Sequence, residues 1–156
     1  MDKPKFVYVT DIAAPAEKVW EALTSTEWTR RYWNSTGIHS DWKPGSPIFE
    51  KSPEGESRWH GEILSSDPPH RLSFTFDVRE PGCGSPDAAT RVTYELTARG
   101  AATRLTVTHE NFSKENDIYD GISGGWPAIL SALKSLLESG EARLPVPGDG
   151  KGNCNA

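Results

Sequence analysis

The chain has little sulfur and little segregation of charge: two cysteines, one methionine and a net charge of −5 in 156 residues. Its acidic and basic residues are interspersed, which argues against nucleic acid, since phosphates demand a basic face. Cys83 and Cys154 lie far apart in Gly/Pro/Ser-rich stretches, with no CxxC neighbour and no His at ligand spacing. Neither a disulfide framework nor a zinc site is expected, and two unpaired thiols suit a reducing cytosol. No run approaches the roughly 20 apolar residues that span a bilayer. The first residues, MDKPKFVYVTD, lack the apolar core of a secretory signal. The expectation is a soluble cytoplasmic protein without cofactor or metal, monomeric or weakly dimeric.

Aromatic residues are present in quantity: six Trp, five Phe and four Tyr. A chain of this length buries roughly two-thirds of its unfolded surface in one domain, and large rings contribute heavily to that core. Lys5 to Ile12 reads as a strand from its β-branched and aromatic content. A helix follows from Ala14-Pro15-Ala16-Glu17, with Val19, Trp20 and Leu23 on one face. A second short helix covers Glu27 to Tyr32, with Thr26 as its N-cap.

From Gly37 the period becomes two. Strands are expected at Gly37–Trp42, Pro47–Ser52, Ser57–Asp67, Arg71–Val78, Thr90–Ala98 and Thr103–Asn111. Turn residues separate most of them: Lys43-Pro44-Gly45, Pro53-Glu54-Gly55, Asp67-Pro68-Pro69-His70 and Arg99-Gly100-Ala101. Short connections imply an antiparallel meander. Leu72, Phe74, Phe76 and Val78 share a face, as do Val92, Tyr94 and Leu96, and Leu105, Val107 and His109. The alternate positions, including Arg91, Thr93, Glu95 and Thr106, suit water.

The last element carries Ile122, Trp126, Ile129, Leu130, Leu133, Leu136 and Leu137 at helical spacing, ending at Gly140. Pro127 interrupts it, so the helix is read as beginning near Asp117 and kinking at Gly124 to Pro127. Residues 1–140 form the domain and 141–156 a tail. The fold class is α+β: a curved antiparallel sheet wrapped around a long C-terminal helix.

This order resembles the START-like superfamily, also called SRPBCC, which includes the birch-pollen-allergen, or helix-grip, fold. Ala14 to Thr24 with Tyr32-Trp33, Trp59 to Ile63, Leu105 to Glu110, and Gly125-Trp126 with Leu130, Leu133-Lys134 and Leu137-Glu138 resemble the branch of heat-shock-chaperone ATPase activators. The single-domain form is similar to bacterial members. The resemblance implies a cavity between sheet and C-terminal helix, and a small lipid, polyketide or aromatic metabolite as partner. It also leaves open an enzyme of cyclase or hydrolase type, and a co-chaperone that stimulates a chaperone ATPase under stress.

Candidate lining residues are Tyr8, Trp33, Phe49, Trp59, Phe74, Phe76, Tyr94, Trp126 and Leu130, read as facing the concave side. His109 points inward by parity and is the candidate to orient a ligand carbonyl or, in an enzyme, to act as acid/base. Against this stands a core histidine satisfied by a carbonyl or hydroxyl. The kink at Gly124 to Pro127 is the expected gate. His60 and Glu62 share a wet face and lack a third metal ligand. Arg30 and Arg31 either meet an anionic head group or simply face water. No Gly-x-Ser-x-Gly elbow is present, and Gly121 to Gly125 lacks the Lys-Ser/Thr of a phosphate loop.

Overall fold

The computed structural model describes residues 5–33, 37–51, 59–78, 90–110 and 117–140. Strand β1 (Phe6–Ile12) leads into helices α1 (Ala16–Thr24) and α2 (Thr26–Tyr32). Six strands follow: β2 (Gly37–Ser40), β3 (Pro47–Lys51), β4 (Trp59–Asp67), β5 (Arg71–Val78), β6 (Thr90–Arg99) and β7 (Ala102–Glu110). Helix α3 (Asp117–Ser139) is the last element of the described residues. The strands form one curled antiparallel sheet in the order β1-β7-β6-β5-β4-β3-β2. This is the helix-grip architecture expected from the sequence.

The pairing register explains the buried face. Tyr94 lies between Leu72 and Val107, and Val92 between Phe74 and His109, so apolar side chains from three strands stack on one side. A bulge between Ile63 and Ser65 shifts the β4–β5 register and turns Leu64 out to solvent. The opposite face is less wet than the alternation predicts. Ser73 and Thr93 are both buried there, because cross-strand pairing brings their hydroxyls to 3.3 Å and each satisfies the other.

One helical feature also differs from expectation. Ser25, not Thr26, occupies the N-cap of α2 and makes no side-chain capping bond. Thr26 instead donates to the Ile38 carbonyl at 2.8 Å, fastening α2 to β2. Helix α3 begins at Asp117, where the sequence places it, and continues to Ser139 with Pro127 inside it. One missing backbone bond is outweighed by tertiary packing, the usual source of helix stability: Trp126, Ile129, Leu130, Ala132, Leu133 and Leu136 are all buried. Gly140 closes the helix as foreseen, with φ +86° and its N–H on the Leu136 carbonyl.

The end of α3 also grips the exit of β1. Lys134 donates to the Asp11 carbonyl, and Glu138 accepts from both Ala13 N–H and Lys134. The tail at 141–156, both cysteines, and the loops at 52–58 and 79–89 lie outside the described residues.

Candidate functional site

A cavity opens where α1 and α2 lean over the β2–β3 end of the sheet. Leu23 of α1, Thr29 of α2, Trp33, Ile38 of β2, Trp42, Ile48 of β3, Phe74 of β5 and Tyr94 of β6 line it. Its volume is about 10 Å³. That is room for about one water, well short of the ~300 Å³ at which drug-sized sites begin. Among the described residues that line it, none is charged.

The chain builds these walls from local latches. Thr29 donates to the Thr26 carbonyl and accepts from Ile38 N–H at 2.9 Å, so its hydroxyl serves the α2–β2 joint. The buried Tyr32 hydroxyl donates to the Ala22 carbonyl at 2.7 Å and ties α2 to α1. Trp33 caps α2 by donating its backbone N–H to the Thr29 carbonyl.

Two residues are out of the ordinary. Tyr94 is only 4% exposed, and its hydroxyl has no hydrogen-bond partner among the described residues, although a buried hydroxyl normally has one. Burial pushes the phenol's pKa well above its usual value, so it stays a neutral O–H donor. Trp42 holds φ +61°, the left-handed region that a bulky residue avoids, at a cost of about 1–3 kcal/mol. Its N–H donates to Ser40 Oγ at 2.9 Å. Seven of the eight lining residues are buried; Trp42 alone is half-exposed.

His109 lies elsewhere, completely buried on β7. Trp126 Nε1–H donates to His109 Nδ1 at 3.0 Å. An indole nitrogen only donates, so Nδ1 holds the lone pair and Nε2 the hydrogen. Nε2–H then donates to Thr90 Oγ1 at 2.7 Å, and the Thr90 hydroxyl donates to the Phe76 carbonyl at 2.8 Å. Burial pushes the imidazole down to about 3. Both ring nitrogens are committed to a chain of bonds joining α3 to the sheet, the arrangement of a core histidine.

The Trp126 ring links the two regions. It meets Trp33 edge-on at 5.6 Å and Tyr94 at 6.0 Å, backing the cavity wall from behind. Phe76 packs edge-on against His109 at 4.9 Å.

Of the residues singled out in the sequence, Trp33, Phe74 and Tyr94 line the cavity. Phe76, His109, Trp126 and Leu130 belong to the neighbouring packed core, and Tyr8 is half-buried at its margin. Phe49 does not face the concave side: Ile48 and Glu50 do, and strand parity turns Phe49 outward, stacked on His39 at 5.3 Å. The Trp59 side chain lies outside the described residues. None of the described side chains of α3 lines this cavity, and half-exposed Trp42 stands at its solvent side.

Sequence reasoning passed over Leu23, Thr29, Ile38, Trp42 and Ile48 as lining. The signal for Ile48 was its parity within β3, and for Trp42 its place before the Lys43-Pro44-Gly45 turn. Glu50 was also missed: it is a fully buried carboxylate on the Ile48 face, paired in register with Ile38. Among the described residues no group of three or more His, Cys, Asp or Glu is placed to hold a metal.

Solved structures with this architecture are numerous. ChR145 from Cytophaga hutchinsonii is 31% identical, with 90% of this chain and 97% of that one covered and a TM-score of 0.72. Protein MLL2253 from Mesorhizobium loti is 25% identical over 86% and 97% of the two chains, TM-score 0.74. The Aha1 dimer from Colwellia psychrerythraea shares 21% identity over 89% and 99%, TM-score 0.74, a likeness of fold. Comparison with curated protein sequences gives no match. Residues 13–138 match the family described as "Activator of Hsp90 ATPase homolog 1-like protein". The chain belongs to that family.

Proposed function

We propose that this protein binds a small apolar or amphipathic molecule in the cavity between α1–α2 and the β2–β3 end of the sheet. The observation that carries this reading is the Tyr94 hydroxyl, buried in an otherwise apolar wall with no hydrogen-bond partner among the described residues. Leaving such a group unmet costs about 1–3 kcal/mol, which a ligand's polar atom would recover. Burial of apolar surface at about 25 cal/mol per Å² supplies the rest of the affinity.

The acid/base role for His109 has no support in this geometry, since its two nitrogens are engaged and it does not line the cavity. Binding without turnover is therefore the better reading. A chaperone-facing role, which the family's description suggests, uses an outer surface and separates cleanly from the cavity.

The test is mass spectrometry of small molecules carried through native purification, comparing wild type with Ile48→Phe, which fills the cavity. Neutral apolar species retained by wild type and lost from Ile48→Phe support the reading. Equal retention by both proteins, or none by either, overturns it. A chaperone complex that forms equally with both would support the surface role instead.

A further inference from the structure

Of the described lining residues all but Trp42 are buried, which sets Trp42 at the solvent side of the cavity. Trp42 is partly exposed and held at φ +61°; three residues on, Gly45 has φ +88°. The far end of this turn is fixed to β4, where Gly45 N–H donates to the Ile63 carbonyl and Ile63 N–H to the Ser46 carbonyl. The near end is held by the β2–β3 pairing of Ser40 with Ile48 and by the bond from Trp42 N–H to Ser40 Oγ. Two left-handed residues thus bracket a turn pinned at both ends, and within it the half-exposed Trp42 carries the backbone strain.

The free space beyond the indole holds about one water. A ligand therefore gains room mainly by displacing a lining side chain, and half-exposed Trp42 is the one that can turn toward solvent. Whatever takes that space beside the lining rings of Trp33, Phe74 and Tyr94 is best matched by another flat aromatic system, stacked or edge-on. The absence of any charged residue among the described lining disfavours an ion, whose desolvation would go uncompensated. Thr29 is already bonded in both senses, which leaves Tyr94 as the polar contact.

We propose that the site takes a neutral, planar aromatic molecule with one hydrogen-bond-accepting heteroatom, which enters by displacing the Trp42 indole and accepts from the Tyr94 hydroxyl. This rests on the ligand-binding reading above and adds the entry point, the anchor and the ligand class.

The probes are quinoline and naphthalene, equal in shape and differing by one ring nitrogen. Their affinities are measured by NMR titration for wild type, Trp42→Gly, Trp42→Asn and each variant combined with Tyr94→Phe. Gly and Asn both accept the left-handed backbone. The expected result is at least tenfold tighter binding of both probes once the indole is removed. Quinoline should be favoured over naphthalene by about fivefold, a preference that Tyr94→Phe abolishes. In wild type, 5-fluorotryptophan labelling should show the Trp42 resonance moving toward its solvent-exposed position as quinoline is added; this readout stands even if neither variant folds.

A Trp42 resonance that stays put, with no gain on removing the ring, overturns the proposal. If wild type nevertheless binds apolar molecules through other cavity residues, the ligand-binding reading survives without it. If wild type binds nothing, both fall. A quinoline preference unchanged by Tyr94→Phe removes the anchor.

Discussion

His109 shows what residue-level reasoning reaches and where it stops. Alternation along β7 alone puts its ring inward with Leu105 and Val107. Whether that ring meets a ligand or a core partner depends on Trp126, seventeen positions later in another element, and on Thr90, nineteen earlier. No local pattern encodes those distances. The bonding fixes a pH signature. The folded imidazole sits at about 3 and an unfolded histidine near 6.5, so between those values the unfolded chain holds the extra proton. The contribution is complete above pH 6.5 and is lost as pH falls toward 3. Urea unfolding at pH 7.5 and 5.0 should show wild type losing about 2 kcal/mol more than His109→Gln. Equal losses would mean that His109 is not held neutral in the fold.

Among the elements, the strands were the more legible and the close approaches between them the less. Arg71–Val78 is bounded in the structure as the sequence predicts, because turn chemistry marks strand ends clearly. Gly61, by contrast, reads only as a strand residue of no special kind. In the curled sheet its position lets β5 come so near that a Cβ would lie 1.8 Å from the Thr75 carbonyl oxygen. That partner is backbone and has no side-chain rotation by which to withdraw. Gly61→Ala should therefore force β4 from β5 and cost more than about 2 kcal/mol by chemical denaturation, although alanine is the smaller perturbation elsewhere in strands. Retained stability would show that the two strands do not approach so closely. For α3 both the apolar stripe and the start at Asp117 were plain in the sequence. The helix continues through Pro127, beside which Trp126 is held by both ring packing and a hydrogen bond.

On the scale of the molecule, the sequence declared the container more clearly than the site within it. The order of elements and the resemblance together lead to a sheet curled on a long helix. They also imply a cavity between sheet and helix; the cavity lined by described residues sits beneath α1 and α2, with Trp126 between it and the His109 bonds. The reason is geometric: the site is assembled from six elements and the Trp42 turn, and its position follows from how α2 is latched to β2 by Thr26 and Thr29. Hydrophobic periodicity says which face of each element is buried, and nothing about where facing surfaces part. The most direct measurement is a methyl NMR titration of the intact protein with neutral aromatic compounds. The Leu23, Ile38 and Ile48 methyls should shift in concert while those of Leu133 and Leu136 stay still. Shifts confined to the α3 leucines, or none for any compound, would contradict a binding site beneath α1 and α2.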